Sequence, residues 1–149
     1  MQAFHVGIIA ALMALLAFAF ETTAQQQDWL SYYPSVSRLQ GKLIKVQKYG
    51  KPSYGENPEN DEKVEIAILI LKSPVRIKAS SASSVNNEST TNISFVQVIF
   101  PREMAKTHEK HFDQDILLAG NLVRGHKGDH FTDVVMQVKA VNPTGKPLY

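Results

Sequence analysis

Two histidine pairs are the residues of this chain best placed by type to do chemistry, since imidazole titrates near neutrality and is the commonest metal ligand. His108-Glu-Lys-His111 departs from the H-E-x-x-H metalloprotease pattern because its second histidine comes one residue early. At i and i+3 on a helix the two rings could share a metal. No third ligand stands nearby in sequence, so the pair reads as a solvated helix face. His126 and His130 flank Lys-Gly-Asp129, a spacing that resembles half of a zinc site. Structural zinc takes four ligands, commonly with thiolates, and the chain has no cysteine. A hairpin turn whose His and Asp side chains bond the backbone is the expectation there.

Charged clusters give less. Glu56, Glu59, Asp61 and Glu62 crowd one loop without the spacing of an EF-hand and predict a solvated surface. Lys42, Lys45, Lys48 and Lys51 recur every third residue beside Tyr49 and Tyr54, the mixture that single-strand binding grooves use. Lysines on strand edges also block sheet-to-sheet association, and a net charge of +2 is small, so no nucleic-acid partner is expected. There is no G-x-S-x-G, P-loop or dinucleotide fingerprint. With no cysteine nucleophile and no nucleophile–base pairing in view, the reading is a protein that is not an enzyme and uses no metal or cofactor.

The elements that must position these residues follow from composition and periodicity. A chain of 149 residues with 44% hydrophobic content makes one domain with a real core. It excludes a wholly disordered chain or a disulfide-stapled mini-protein. Val6–Phe20 is an uninterrupted apolar run, and Thr22 and Ala24 are the small residues that precede a signal-peptidase cut. Residues 1–24 are therefore expected to be a signal peptide, short for a permanent span. An uncleaved anchor is the alternative, because Met1–His5 carries no Lys or Arg. Export without disulfides suits a bacterial periplasm.

Residues 25–35 form a polar lead whose Trp29, Tyr32 and Tyr33 either pack on the domain or stay loose. Alternation predicts strands at Val36–Tyr49, Lys63–Lys72, Asn92–Phe100, Asp115–Arg124 and His130–Val141. Gly41 in the first strand predicts a bulge or sharp bend, and Gly120 interrupts the fourth. The second strand is apolar on both faces, hence covered on both. Pro74 ends it, leaving Val75–Lys78 as a short edge piece. Ala79–Thr91 predicts a long mobile loop. Met104, His108, His111 and Phe112 at helical spacing predict one short helix over Arg102–Phe112. Residues 142–149 form a tail. The order β-β-β-α-β-β predicts a mainly β domain over residues 36–141. Its form is a small five-stranded OB-like Greek-key barrel with one short helix between strands three and four. A two-layer sandwich is the alternative.

Two stretches carry a resemblance. One is Leu39-Gln-Gly-Lys-Leu43 with Gly50-Lys-Pro-Ser-Tyr54 and Pro58-x-x-Asp61. The other is Ile116-Leu-Leu-Ala-Gly-Asn-Leu122 with Gly125-His-Lys-Gly-Asp-His130 and Val134-Val-Met-Gln-Val138. Together, over about Val36–Val141, they resemble an uncharacterised family of exported bacterial proteins. The family pattern joins an early Gly-x-Pro-x-Tyr loop to a late Gly-His-His turn. Asp129 stands where that pattern has histidine, which argues further against a metal. The resemblance implies fold and compartment, and no activity. In an OB-like barrel the loops after the first and fourth strands face ligand, which singles out Pro52, Tyr54, His126 and His130. The expected protein is a periplasmic, non-enzymatic binding module that recognises a protein or small envelope ligand, with no stable membrane anchor after processing. A periplasmic immunity protein that inhibits an antibacterial effector is the alternative.

Overall fold

A computed structural model of the chain describes residues 29–126 and 128–143. The predicted signal peptide, the start of the lead and nearly all of the tail lie outside the described residues. Six strands carry the fold: β1 (Leu30–Ser31), β2 (Val36–Tyr49), β3 (Lys63–Lys78), β4 (Thr90–Ile99), β5 (Asp115–Arg124) and β6 (Val134–Asn142). They form one sheet in the order β1-β3-β2-β5-β6-β4, and a further β3–β4 pairing closes β2–β6 into a ring of hydrogen bonds. All contacts in the ring are antiparallel except β4 with β6. The five predicted strands are β2–β6, and the protein is mainly β and barrel-like, with a short helix before β5.

The core follows from period-two patterning. Leu39, Leu43, Leu69, Val96, Ile116, Leu118, Leu122, Val134 and Met136 are all buried and pack as one cluster. Each such side chain contributes about 1.5–3 kcal/mol of burial free energy. The lead joins this cluster. β1 pairs in parallel with the end of β3. Tyr32 is 1% exposed, and its hydroxyl shares a 2.7 Å hydrogen bond with Thr90 Oγ1.

Curvature comes from two glycines. β2 pairs with β5 over its first half and with β3 over its second, and Gly41 faces both Ile116 and Leu71. A Cβ at Gly41 would overlap the Ile70 carbonyl oxygen. The register runs through Gly41 unbroken, so the glycine serves a close backbone approach and not a bulge. At Gly120 the β5–β6 register does shift by one residue, a true bulge of the kind that bends closing sheets.

Four boundaries differ from the expectations, each for a local reason. β3 runs through Pro74 to Lys78. Pairing with β2 ends at Leu71 and the β4 register shifts between Ile70 and Val75, so Pro74 sits where no ladder N–H is required. β4 begins at Thr90, and the loop before it is pinned. Asn86 is buried there; its Oδ1 accepts from the Arg124 N–H at 2.9 Å and its carbonyl from the Ser80 N–H at 2.7 Å. The helix over residues 102–111 is one α turn, α1 (Ala105–His108), between two 3-10 turns. It has no side-chain cap at the α turn, and it is held by Met104 and Phe112 packing on the core more than by helical propensity. Finally, β6 starts at Val134, and residues 130–133 belong to the preceding loop.

Candidate functional site

Two loops approach each other at one end of the ring, residues 50–62 after β2 and residues 125–133 after β5. The first is closed at its base by Gly50 N–H to Glu62 O at 2.6 Å and Glu62 N–H to Lys51 O at 2.8 Å. Its centre is the Asp61 carboxylate, 8% exposed. Asp61 accepts from Ser53 N–H at 2.7 Å, from Ser53 Oγ at 2.8 Å and from Gly55 N–H at 2.6 Å. Burial works to raise its pKa, but the bonds from Ser53 and Gly55 outweigh it and hold the carboxyl below its ordinary range. Winding the chain around this carboxylate sets Tyr54 at φ 53° and Gly55 at φ 102°. The left-handed region costs a residue with a Cβ about 1–2 kcal/mol, yet the Tyr54 ring remains 40% exposed.

The second loop is clamped by a strand. Gln97 on β4 is buried; its Oε1 accepts from the Phe131 N–H at 2.7 Å and its Nε2 donates to the Asp129 carbonyl at 3.0 Å. Its own N–H donates to Thr132 Oγ1 at 2.9 Å. These bonds lay the loop across the outer side of β4 and β3, which covers part of the second apolar face of β3. Within the loop the His126 and His130 rings lie 4.0 Å apart between centroids. The His126 N–H donates to His130 Nδ1 at 3.3 Å, which assigns the neutral ring's proton to Nε2. Burial first, then repulsion from His126, lowers the His130 pKa against the opposing pull of Asp129.

The loops meet where Tyr54 reaches Gly128, whose φ is 116°; a Cβ there would lie 3.9 Å from the Tyr54 hydroxyl. A cleft of about 300 Å³ runs between them, lined by Lys51, Glu62, Val64, Ile66, Asp129 and Phe131 among others. His126 and His130 line a separate shallow depression of about 310 Å³ with Phe131 and Asp133. Pro52 is exposed and is not among the residues lining either hollow. So Tyr54 and the histidine pair share one end of the ring without forming a single pocket.

Two readings need correction, those of the helix histidines and of Asp61, and the four lysines separate. His108 and His111 do not form a solvated face. His108 is half-buried, stacked on Phe100 with centroids 4.1 Å apart, and its Nδ1 lies 3.0 Å from the Met104 carbonyl oxygen. His111 is buried, and burial, reinforced by Lys110 and His108, lowers its pKa. The lysines form no continuous stripe, because period-two alternation sends Lys42 and Lys48 to one face and Lys45 to the other. Lys45 instead bridges Glu65 at 3.0 Å and Glu109 at 2.9 Å, with its ammonium 4.8 Å from the centre of the Phe112 ring. Asp61 is no solubilising charge but the organiser of its loop. Among the described residues no three His, Asp or Glu side chains stand together as a metal site.

Fold and site together define a mainly β, barrel-like protein with two ordered loops meeting over one end of its strand ring. Comparison with protein-family models, with curated proteins and with solved structures finds no match to the chain.

Proposed function

We propose that the protein is a non-enzymatic binding module of the bacterial periplasm that recognises a protein or small envelope ligand through the loops bearing Pro52, Tyr54, His126 and His130. The observation that carries this reading is Tyr54. A strained tyrosine held in place by a buried carboxylate, with its ring left in solvent, is an arrangement that folding alone does not favour, and strain of this kind clusters at binding sites. Tyrosine also offers a large contact area at low entropic cost. The two loops occupy the positions that face ligand in OB-like barrels.

The test immobilises the full chain and measures binding of muropeptides, lipopolysaccharide and a fractionated periplasmic protein extract. Tyr54→Ala and His130→Ala are expected to weaken the captured species about tenfold or more, the scale of a lost aromatic or hydrogen-bonding anchor, at unchanged melting temperature. Captured species indifferent to both substitutions would remove the loop face as the site. Recovery of the native protein from the cytosol in place of the periplasm would remove the compartment.

A further inference from the structure

One edge of β4 is left open beside the second loop. β4 faces β3 along most of its length but meets β6 only over Gln97–Ile99. Upstream of Gln97 the chain that leads into β6 turns away. The Asp133 carbonyl accepts from the Gly125 N–H at 2.8 Å, and Thr132 offers β4 only its hydroxyl, taken up by the Gln97 N–H. That N–H shows which way the main chain of Gln97 points. Strand alternation then directs the N–H and C=O of Phe95 to the same side, into a cleft of about 420 Å³ between Ser94–Phe95 and Phe131–Asp133. Phe95 is 56% exposed on this surface, and Asp133 is the only charged residue among the described residues that line the cleft.

We propose that this cleft takes an extended segment of another polypeptide, added as a strand to the β4 edge. Its apolar side chains would rest on Phe95 and Phe131, and a lysine or arginine would face Asp133. The main-chain groups of Phe95 define the occupant, since strand addition is the recognition mode that uses an open N–H and C=O of a sheet edge. The Asp133 carboxylate sets the charge of the partner's side chain by complementarity. The proposal goes beyond the loop-face reading and does not depend on it: Pro52, Tyr54, His126 and His130 are absent from the described residues that line this cleft.

The probe is a library of random heptapeptides displayed on phage and panned against the full chain. Enriched sequences should alternate apolar and polar residues and carry a Lys or Arg. A synthetic copy should lose affinity about tenfold or more, one main-chain hydrogen bond with its unpaired partner, when N-methylated at the residue facing Phe95. Phe95→Pro should cause a similar loss, because it removes that N–H while β4 keeps its pairing to β3 through Val96 and Val98. Asp133→Lys should cost a few-fold, as rim charges do, and Tyr54→Ala should leave the affinity for this peptide unchanged while weakening the ligand of the loops. Should Phe95→Pro fail to fold, the N-methylated peptide against the unaltered chain decides alone. The proposal is overturned if no alternating pattern is enriched, if N-methylation is without effect, or if Tyr54→Ala abolishes peptide binding. It is equally overturned if the chain sediments as a dimer that Phe95→Pro dissociates, which would make a second copy the occupant of the edge.

Discussion

The two loops at the end of the strand ring are ordered in opposite ways. Residues 50–62 are self-contained: one carboxylate, Asp61, gathers donors from Ser53 and Gly55, all within eight residues of it. The second loop closes on itself through Gly125 with Asp133 and His126 with His130, but it is tied to the barrel wall by Gln97, whose bonds span 32 and 34 residues of sequence. The first loop therefore rests on charge and local geometry, and the second on a neutral amide carried by the barrel wall. A loop of the first kind can loosen without disturbing the strands. A loop of the second kind cannot, because its anchor is a ladder residue between β3 and β6.

Gln97→Leu is the sharpest way to break this contrast. It removes both partners of the clamp and leaves the Phe131 N–H and Asp129 carbonyl without their bonds. Asp129 is exposed and Phe131 half-buried, so each lost bond counts at its net worth of about 0.5–1.5 kcal/mol, and urea denaturation should show a global loss of about 1–3 kcal/mol. A loss below about 0.5 kcal/mol would mean that the clamp is not what ties the loop to the barrel. Asp61→Asn tests the other side. The amide retains one acceptor but turns an NH2 group toward donors, so hydrogen exchange at Ser53 and Gly55 should accelerate about tenfold while exchange in β2 and β5 stays unchanged. Global destabilisation by this substitution would erase the distinction between the loops.

Tyr54→Gly sharpens the functional side of the comparison. Glycine adopts φ 53° without steric cost, though it adds entropy to the unfolded chain. The net expectation is a gain of about 0.5–1 kcal/mol in thermal or urea unfolding, together with loss of the ligand captured through the loops. A stability gain without loss of binding would show that the strained tyrosine is incidental to recognition.

These contrasts also explain how much was legible from residue order. The strands were, because period-two alternation in stretches such as Val64–Leu71 reports sheet faces directly. The helix was visible as an element but not as a broken one, since Met104 and Phe112 hold it through tertiary packing. Pro74 misled because its tolerance depends on where the pairing of β3 lapses, which is a property of neighbouring strands. At the candidate site, Tyr54, His126 and His130 stood out by type. Asp61 and Gln97 did not, although a glutamine inside the apolar run Phe95-Val-Gln-Val-Ile99 was an available signal. Apart from the Ser53 hydroxyl, the partners of both are backbone groups, which leave no trace in a side-chain pattern. For Gln97 those partners also lie more than thirty residues away.

The smallest expected effect separates the loops by pH. Asp61 has a folded pKa below its ordinary value of 3.8, so its contribution is complete above that value and is lost as pH falls through the lower, folded one. The first loop should then be indifferent between pH 7 and 5. His130 has a folded pKa below 6.5 because burial and His126 disfavour its charged form. Its neutral ring contributes fully above 6.5, and that contribution fades as pH falls through the folded pKa. Protonation also places a proton on Nδ1, the atom that accepts from the His126 N–H. Acidifying from pH 7 to 5 should therefore lower the protection of the His126 amide, measured as its exchange rate relative to the intrinsic rate at each pH, and leave the protection of Gly55 unchanged, and His130→Phe should abolish the pH dependence of protection at the second loop. Because His130 is only partly shielded from solvent, the shift in whole-protein melting should be slight, and amide-resolved exchange is the measurement able to detect it. A parallel loss of protection in both loops over that range would mean that neither Asp61 nor His130 governs its own segment.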